Sequence, residues 1–182
     1  MCPRPVLIRL VLPALLLLVP GRPPAAATGP LHAQPTAMQA APTTNYGAQT
    51  NLQASAAAGS AQNSFIRFTV SGVTGTIQTV KLRVYCTTNA TNNGPAVYLA
   101  DSNWIERGTS GITWNAQPAL LSGAFDNKGA IAMESWVEYD VTALVTGNGT
   151  YTLALVADGT DGVTFSSREG TSPPQLVVTL AP

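Results

Sequence analysis

Apolar and polar residues alternate along much of the chain with the period of two that is typical of β-strands. The clearest case is Val80–Cys86, where the apolar side chains at even positions share one face and Lys81, Arg83 and Tyr85 share the other. Further short apolar runs, separated by turn residues, occupy residues 52–56, 64–70, 96–100, 136–140, 151–157, 163–166 and 175–180. We therefore predict an all-β fold, an antiparallel two-sheet β-sandwich with a jelly-roll-like arrangement. One short helical turn is predicted at 141–146, with Asp140 or Thr142 as its N-cap.

Composition supports a binding or structural protein more than an enzyme. The 16 glycines and 14 prolines favour turns, and only 10% of the 182 residues are charged. Nine basic and nine acidic residues balance and form no basic cluster, so we expect no nucleic-acid partner. A single histidine, His32, and two cysteines leave few of the side chains that zinc sites and histidine-based catalysis need.

The N-terminus has the layout of a secretory signal. Arg4 and Arg9 precede the apolar run Leu10–Val19, and the small residues Ala25–Ala27 follow it. We interpret residues 1–27 as a signal peptide and expect a secreted, extracellular protein; an uncleaved anchor is the alternative. No other run approaches the roughly 20 apolar residues of a membrane helix, so no membrane span is expected after cleavage.

Cleavage would leave one domain of sufficient size for a hydrophobic core. Residues 28–41 are interpreted as a linker or as a first strand that could be donated to a neighbour, and residues 42–182 as the β-sandwich domain. Cys86 would be the only remaining cysteine, so no intrachain disulfide could form.

Four segments of uncommon sequence occur one after another along the chain. They are Thr44–Gly47, Trp104–Glu106 with Thr113–Pro118, Trp136–Thr142, and Phe165–Glu169. In this combination the chain resembles the DNRLRE domain, also called carbohydrate-binding module family 96, over about residues 36–182.

The resemblance implies a secreted β-sandwich of a kind often appended to polysaccharide-degrading enzymes, with some members binding alginate-type uronate polymers. The chain departs from the family pattern before the Asn-Tyr-Gly segment. The family usually has an aspartate there, followed by a short strand, whereas this chain has Pro35–Met38. No catalytic domain accompanies the module within the 182 residues.

Aromatic and basic side chains are the candidates for sugar binding. Sugar rings stack on exposed aromatic faces, which makes Tyr46, Tyr85 and Tyr98 candidate platforms. Lys81 and Arg83 would form a basic stripe with Arg67 if their strands pair in one sheet, and guanidinium groups suit a uronate carboxylate. Arg168, in the Ser-Ser-Arg-Glu segment, is expected either to fix its loop through ion pairs or to contact sugar hydroxyls. The alternative for the strand residues is an ordinary solvated sheet face.

The remaining motif residues are expected to be structural. Trp104, Trp114 and Trp136 are predicted to fill the sandwich core, with Glu106 and Asp140 as further structural motif positions. Glycoside cleavage would need two carboxylates facing a cleft, for which Glu106, Asp126, Glu138 and Asp140 are the available residues. Stray pairs of carboxylates are common, and no histidine or Tyr-Arg cluster supports an elimination mechanism, so we expect no enzyme activity.

No cofactor is required, but a structural calcium ion is one possibility. Calcium takes six to eight oxygen ligands, and Asp158 and Asp161 in the segment Ala-Asp-Gly-Thr-Asp-Gly are the candidate metal ligands, with Asp101 as a further acid. The alternative is a plain turn. Asn89 and Asn148 stand in glycosylation sequons whose use the sequence leaves open.

Two functions follow from these observations. The first is a secreted, non-catalytic module that binds extracellular polysaccharide. The alternative is a structural subunit of an extracellular fibre or matrix, which would self-associate by lending residues 30–42 to the open sheet edge of a neighbour.

Overall fold

The computed structural model describes residues 26–29, 31–33 and 35–182, the first two ranges as backbone only. The predicted signal peptide, residues 1–27, lies mostly outside these described ranges. Twelve strands are described: β1 (Ala26–Gly29), β2 (Leu31–Ala33), β3 (Thr36–Met38), β4 (Asn51–Ala54), β5 (Gln62–Val70), β6 (Ile77–Asn89), β7 (Ala96–Ala100), β8 (Asp126–Asn127), β9 (Ser135–Asp140), β10 (Gly149–Val156), β11 (Val163–Ser166) and β12 (Gln175–Leu180).

The strands form two antiparallel sheets of six strands, which confirms the predicted sandwich. Sheet A has the order β1-β12-β6-β11-β4, and sheet B has the order β2-β5-β10-β7-β8. Strand β9 joins sheet A on the opposite edge of β6 from β12, because residues 81–83 of β6 pair with both strands. Strand β3 follows β2 along β5. Consecutive strands mostly alternate between the sheets, as in a jelly roll.

The core lies between the sheets and follows the alternation of the sequence. In β6 the side chains of Val80, Leu82, Val84 and Cys86 are fully buried. They meet Ile66, Phe68 and Leu153 of sheet B in one continuous cluster. Truncating a buried leucine of this kind to alanine typically costs about 2–5 kcal/mol of stability.

A second, smaller cluster covers the outer face of sheet B. Phe65, Ala100 and Ala154 point away from the main core and are buried by the long connection between β7 and β8. Trp104 and Trp114 of that connection pack against this cluster. The prediction that they fill the core between the sheets is therefore wrong: they cover the outside of sheet B instead.

A hydrogen-bonded turn forms where the short helical turn was predicted at 141–146. Leu144 N and Val145 N both donate to Val141 O, and Thr142 N donates to Asp140 Oδ1 at 3.0 Å, as expected for Asp140 as N-cap. A three-residue 3-10 helix that was not predicted spans Trp114–Ala116. This segment lies in a long loop, where no hydrophobic period marks a helix.

Candidate functional site

The outer face of sheet A carries a row of facing side chains on β6 and β9. Because these strands are antiparallel and in register, each outward residue of β6 lies opposite an outward residue of β9. The pairs are Tyr85 with Trp136, Arg83 with Glu138, and Lys81 with Asp140. We call these six residues, with Gln175 on β12, the open face.

Two aromatic rings form one end of the open face. The ring centroids of Tyr85 and Trp136 are 5.3 Å apart, with an angle of 65° between the ring planes. Trp136 is 37% exposed, so the prediction that it fills the core is wrong. Alternation along β9 sends Tyr139 into the core and leaves Trp136 outside. The predicted outward position of Tyr85, beside Lys81 and Arg83, agrees with the alternation of burial along β6.

Arg83 holds the centre of the open face together. Its Nε lies 2.8 Å from Glu138 Oε1, and its Nη1 donates to Gln175 Oε1 at 2.8 Å. Its guanidinium carbon lies 4.7 Å from the centroid of the Trp136 ring. Three strands of sheet A therefore meet at one side chain, which fixes the position of the indole.

Lys81 and Asp140 form the far end of the open face. Lys81 Nζ donates to Asp140 Oδ2 at 2.7 Å, and Asp140 Oδ1 accepts from the Thr142 hydroxyl at 2.6 Å. The hydrogen bond from Lys81, and to a smaller extent the bond from Thr142, hold the pKa of Asp140 well below its usual range. Asp140 thus stays ionised and orders the turn that follows β9.

A shallow depression of about 330 Å³ adjoins the aromatic end of the open face. Lys128, Ser135, Trp136 and Glu138 line it, together with residues 129–132 and Val137. Hydroxyl, ammonium and carboxylate groups therefore lie beside the exposed indole at this place.

Arg67 does not join the open face. Its strand, β5, belongs to sheet B, whereas Lys81 and Arg83 are on sheet A, so the predicted basic stripe of these three residues does not form. Arg67 Nη1 donates to Ser102 O at 3.1 Å and to Trp104 O at 2.7 Å, and its guanidinium lies 4.2 Å from the Trp104 ring centroid. Burial lowers the pKa of Arg67. Arg67 therefore holds the covering loop on sheet B.

Tyr98 and Tyr46 also lie apart from the open face. Tyr98 is half-buried and packs against the cluster on the outer face of sheet B. Tyr46 is half-buried in a loop whose Asn45 donates to both Glu106 O and Ile112 O at 2.8 Å. Across residues 35–182, Tyr85 and Trp136 form the one aromatic ring pair.

Arg168 belongs to a four-residue charge cluster that closes the loops of three motif segments. Its Nη2 lies 3.0 Å from both Glu106 Oε2 and Glu169 Oε1. Arg107, which the sequence analysis missed, pairs with Glu169 and donates through Nε to Gly47 O at 3.0 Å. Hydrogen bonding from Arg168 lowers the pKa of Glu169, and the same bond raises that of Arg168. Of the two expected roles for Arg168, this geometry supports the fixing of the loop.

The Asn-Tyr-Gly segment explains why this cluster assembles. A Cβ atom at Gly47 would lie 2.2 Å from Glu106 O, so only glycine allows the two loops to approach so closely. The spacing of Arg107 from that segment gives no sign of this contact in the sequence.

Asp158 and Asp161 join two loops by hydrogen bonds. Asp161 Oδ2 accepts from Asn92 N at 2.8 Å, and Asp158 Oδ1 accepts from Asn93 Nδ2 at 2.8 Å. Among the residues whose structure is described, no group of three or more histidine, cysteine, aspartate or glutamate side chains is placed to hold a metal ion. The structural calcium ion and its alternative, a plain turn, both stay predictions.

Each candidate catalytic carboxylate is engaged by a cation. Glu106 pairs with Arg168, Asp126 with Lys128, Glu138 with Arg83, and Asp140 with Lys81. Asp126 Oδ2 also accepts from Asp140 N at 2.7 Å, which ties β8 to the end of β9.

The described residues thus form a β-sandwich in which a loop covers the outer face of sheet B and an aromatic pair lies on the outer face of sheet A. The model of carbohydrate-binding module family 96 matches residues 33–180, and the chain belongs to this family. The resemblance seen in the sequence motifs is thereby confirmed, and with it the general class of carbohydrate-binding proteins. No curated protein matches the chain in sequence. No helix within the described part of the chain is both long and apolar enough to cross a membrane.

Proposed function

We propose that the chain is a secreted, non-catalytic module that binds extracellular polysaccharide on the open face of sheet A. Trp136 and Tyr85 serve as the stacking platform, and Arg83, Lys81 and Gln175 supply polar contacts along the strands. The proposed extracellular location rests on the interpretation of residues 1–27 as a signal peptide.

The observation that carries this proposal is the exposed indole of Trp136 on an uncovered sheet. A tryptophan of this size is usually buried, and its exposure beside a second ring needs a reason. Stacking on a sugar ring provides one, because it removes apolar surface of both partners from water.

The difference between the two sheets supports the choice of face. The outer surface of sheet B is covered by the β7–β8 connection, which buries Phe65 and packs Trp104 and Trp114. The outward side chains of β6 and β9 on sheet A remain half-buried or exposed. A face of paired strands is also long enough to contact more than one sugar, since every second residue advances about 6.6–6.8 Å.

Affinity electrophoresis through gels containing soluble polysaccharides tests the proposal. The wild-type chain should be retarded by at least one polymer, and Trp136→Ala and Tyr85→Ala should each reduce that retardation. Phe125→Ala is the matched control, because Phe125 is an aromatic residue that is 47% exposed and lies beside β7 in sheet B. Equal retardation of Trp136→Ala and wild type would place binding elsewhere.

A further inference from the structure

The charges of the open face are paired across the strands. Lys81 lies 2.7 Å from Asp140, and Arg83 lies 2.8 Å from Glu138. At the rim of the neighbouring depression, Lys128 lies 2.7 Å from Asp126. Every cation on this face or its rim therefore has a carboxylate of the same chain in contact.

The acidic partners are the more exposed members of the two pairs on the open face. The side chains of Glu138 and Asp140 are 53% and 52% exposed, whereas those of Arg83 and Lys81 are 30% and 35% exposed. An approaching ligand thus meets the carboxylates first. A second negative charge brought to this place is repelled, because like charges at short range destabilise each other.

Each pair of adjacent nitrogens on the Arg83 guanidinium includes one that already contacts a side chain of the same protein. Carboxylate recognition by arginine uses two parallel N–H groups. On this residue the Nε edge faces Glu138, Nη1 donates to Gln175, and the planar group lies over the Trp136 ring. A uronate bound through two parallel N–H groups of Arg83 would have to displace either Glu138 or Gln175.

We propose that the open face binds an uncharged polysaccharide, and that Glu138 and Asp140 exclude uronate polymers. This inference rests on the proposed function. Sugar hydroxyls are hydrogen-bond donors, and the exposed carboxylate oxygens of Glu138 and Asp140 are acceptors beside the stacking ring. The charge distribution of this chain thus argues for a neutral ligand, although the resemblance of the sequence implied uronates for some relatives.

The test compares polymers that differ in charge alone. The full chain is run through gels of polygalacturonate, alginate and hyaluronan, each beside its carboxyl-reduced counterpart, at low and high salt. We expect retardation by one or more of the neutral forms that changes little with salt, and none by the parent polyuronates. Retardation by a polyuronate that weakens with salt would overturn the inference.

A substitution at Glu138 tests whether its ion pair with Arg83 accounts for the exclusion of polyuronates. Glu138→Gln removes one negative charge and frees Arg83, so polyuronate affinity should rise about tenfold, the size of one charge-assisted hydrogen bond. Glu134→Gln changes the net charge equally but frees no cation of the open face, and it should leave polyuronate affinity as in wild type. An equal rise in both variants would show a net-charge effect and overturn the role of Glu138.

Failure of the proposed function has a different signature. If Trp136→Ala matches wild type on every neutral polymer, the open face is not the binding surface, and both proposals fall. If Trp136→Ala weakens retardation but the polymer retained is a polyuronate, the open face is confirmed and only the proposed selectivity is overturned.

Discussion

The guanidinium of Arg83 lies over the indole of Trp136, 4.7 Å from the ring centroid, on the outer face of a sheet in which the two residues are diagonal neighbours. Glu138, opposite Arg83, completes the arrangement through an ion pair. The Arg83 guanidinium, which is held by groups on two neighbouring strands, thus orients the Trp136 indole, the largest exposed ring in the described part of the chain. Preorganisation of this kind reduces the entropy that a ligand must remove on binding.

Arg67 is predicted to serve stability and not sugar binding. Arg67→Met would leave Ser102 O and Trp104 O without their donor and remove the contact with the Trp104 ring. We expect a loss of about 1–3 kcal/mol in the free energy of unfolding, measured by urea denaturation. Retardation by polysaccharide should match wild type at temperatures where the variant is folded; a selective loss of binding would place Arg67 in the site.

Asp140 predicts a pH dependence of stability. Its pKa is lower in the folded state than the value near 4 of an unfolded chain, so its stabilising contribution is fully present above about pH 4. The contribution is lost as the pH falls toward the lowered pKa. Thermal unfolding from pH 7 to pH 2 should therefore show a decline in Tm that is smaller in Asp140→Asn. Parallel curves for the two proteins would contradict the ion pair with Lys81.

The turn at 158–161 is predicted to hold without a metal ion. The hydrogen bonds from Asn92 and Asn93 already join it to the neighbouring loop. We expect Asp161→Asn to lower stability by about 1 kcal/mol, and a chelator to leave the Tm of wild type unchanged. A rise in Tm with added calcium that Asp161→Asn abolishes would establish the calcium site instead.

The N-terminal segment tests the alternative function as a fibre subunit. Strands β2 and β3 pair with β5 of the same chain, so this edge is covered within one molecule. Light scattering with size-exclusion chromatography should show a monomer for residues 28–182. Deletion of residues 28–42 should expose β5 and promote aggregation. Polymers of the longer chain that disappear on deletion would support assembly as the function.

The sequence predicted the fold and part of the open face. Why some residues of the open face were predicted and others were missed depends on the strand in which they lie. Alternation in β6 placed Lys81, Arg83 and Tyr85 outside, because a strand with one buried face has period two. The same alternation in β9 places Trp136 with Glu138 and Asp140 outside, whereas its place in a motif segment favoured the core. Pairing of β6 with β9 joins residues 49 to 59 positions apart, which the local pattern does not reveal.

The second cluster had no sequence signal. Burial of Phe65 on the outer face of sheet B depends on a connection of about twenty-five residues folding back over the sheet. The period of β5 shows which residues share a face, but it does not show what covers that face. For this reason Arg67 was grouped with Lys81 and Arg83, although its strand lies in the other sheet.

The most direct test of the account is the affinity of Trp136→Ala for the polysaccharide that retards the wild-type chain most. Isothermal titration should show binding weakened about tenfold or more, the scale of one lost stacking contact, with Tm close to wild type. Phe125→Ala should bind as wild type does. Unchanged affinity in Trp136→Ala would contradict the assignment of the open face as the sugar-binding surface.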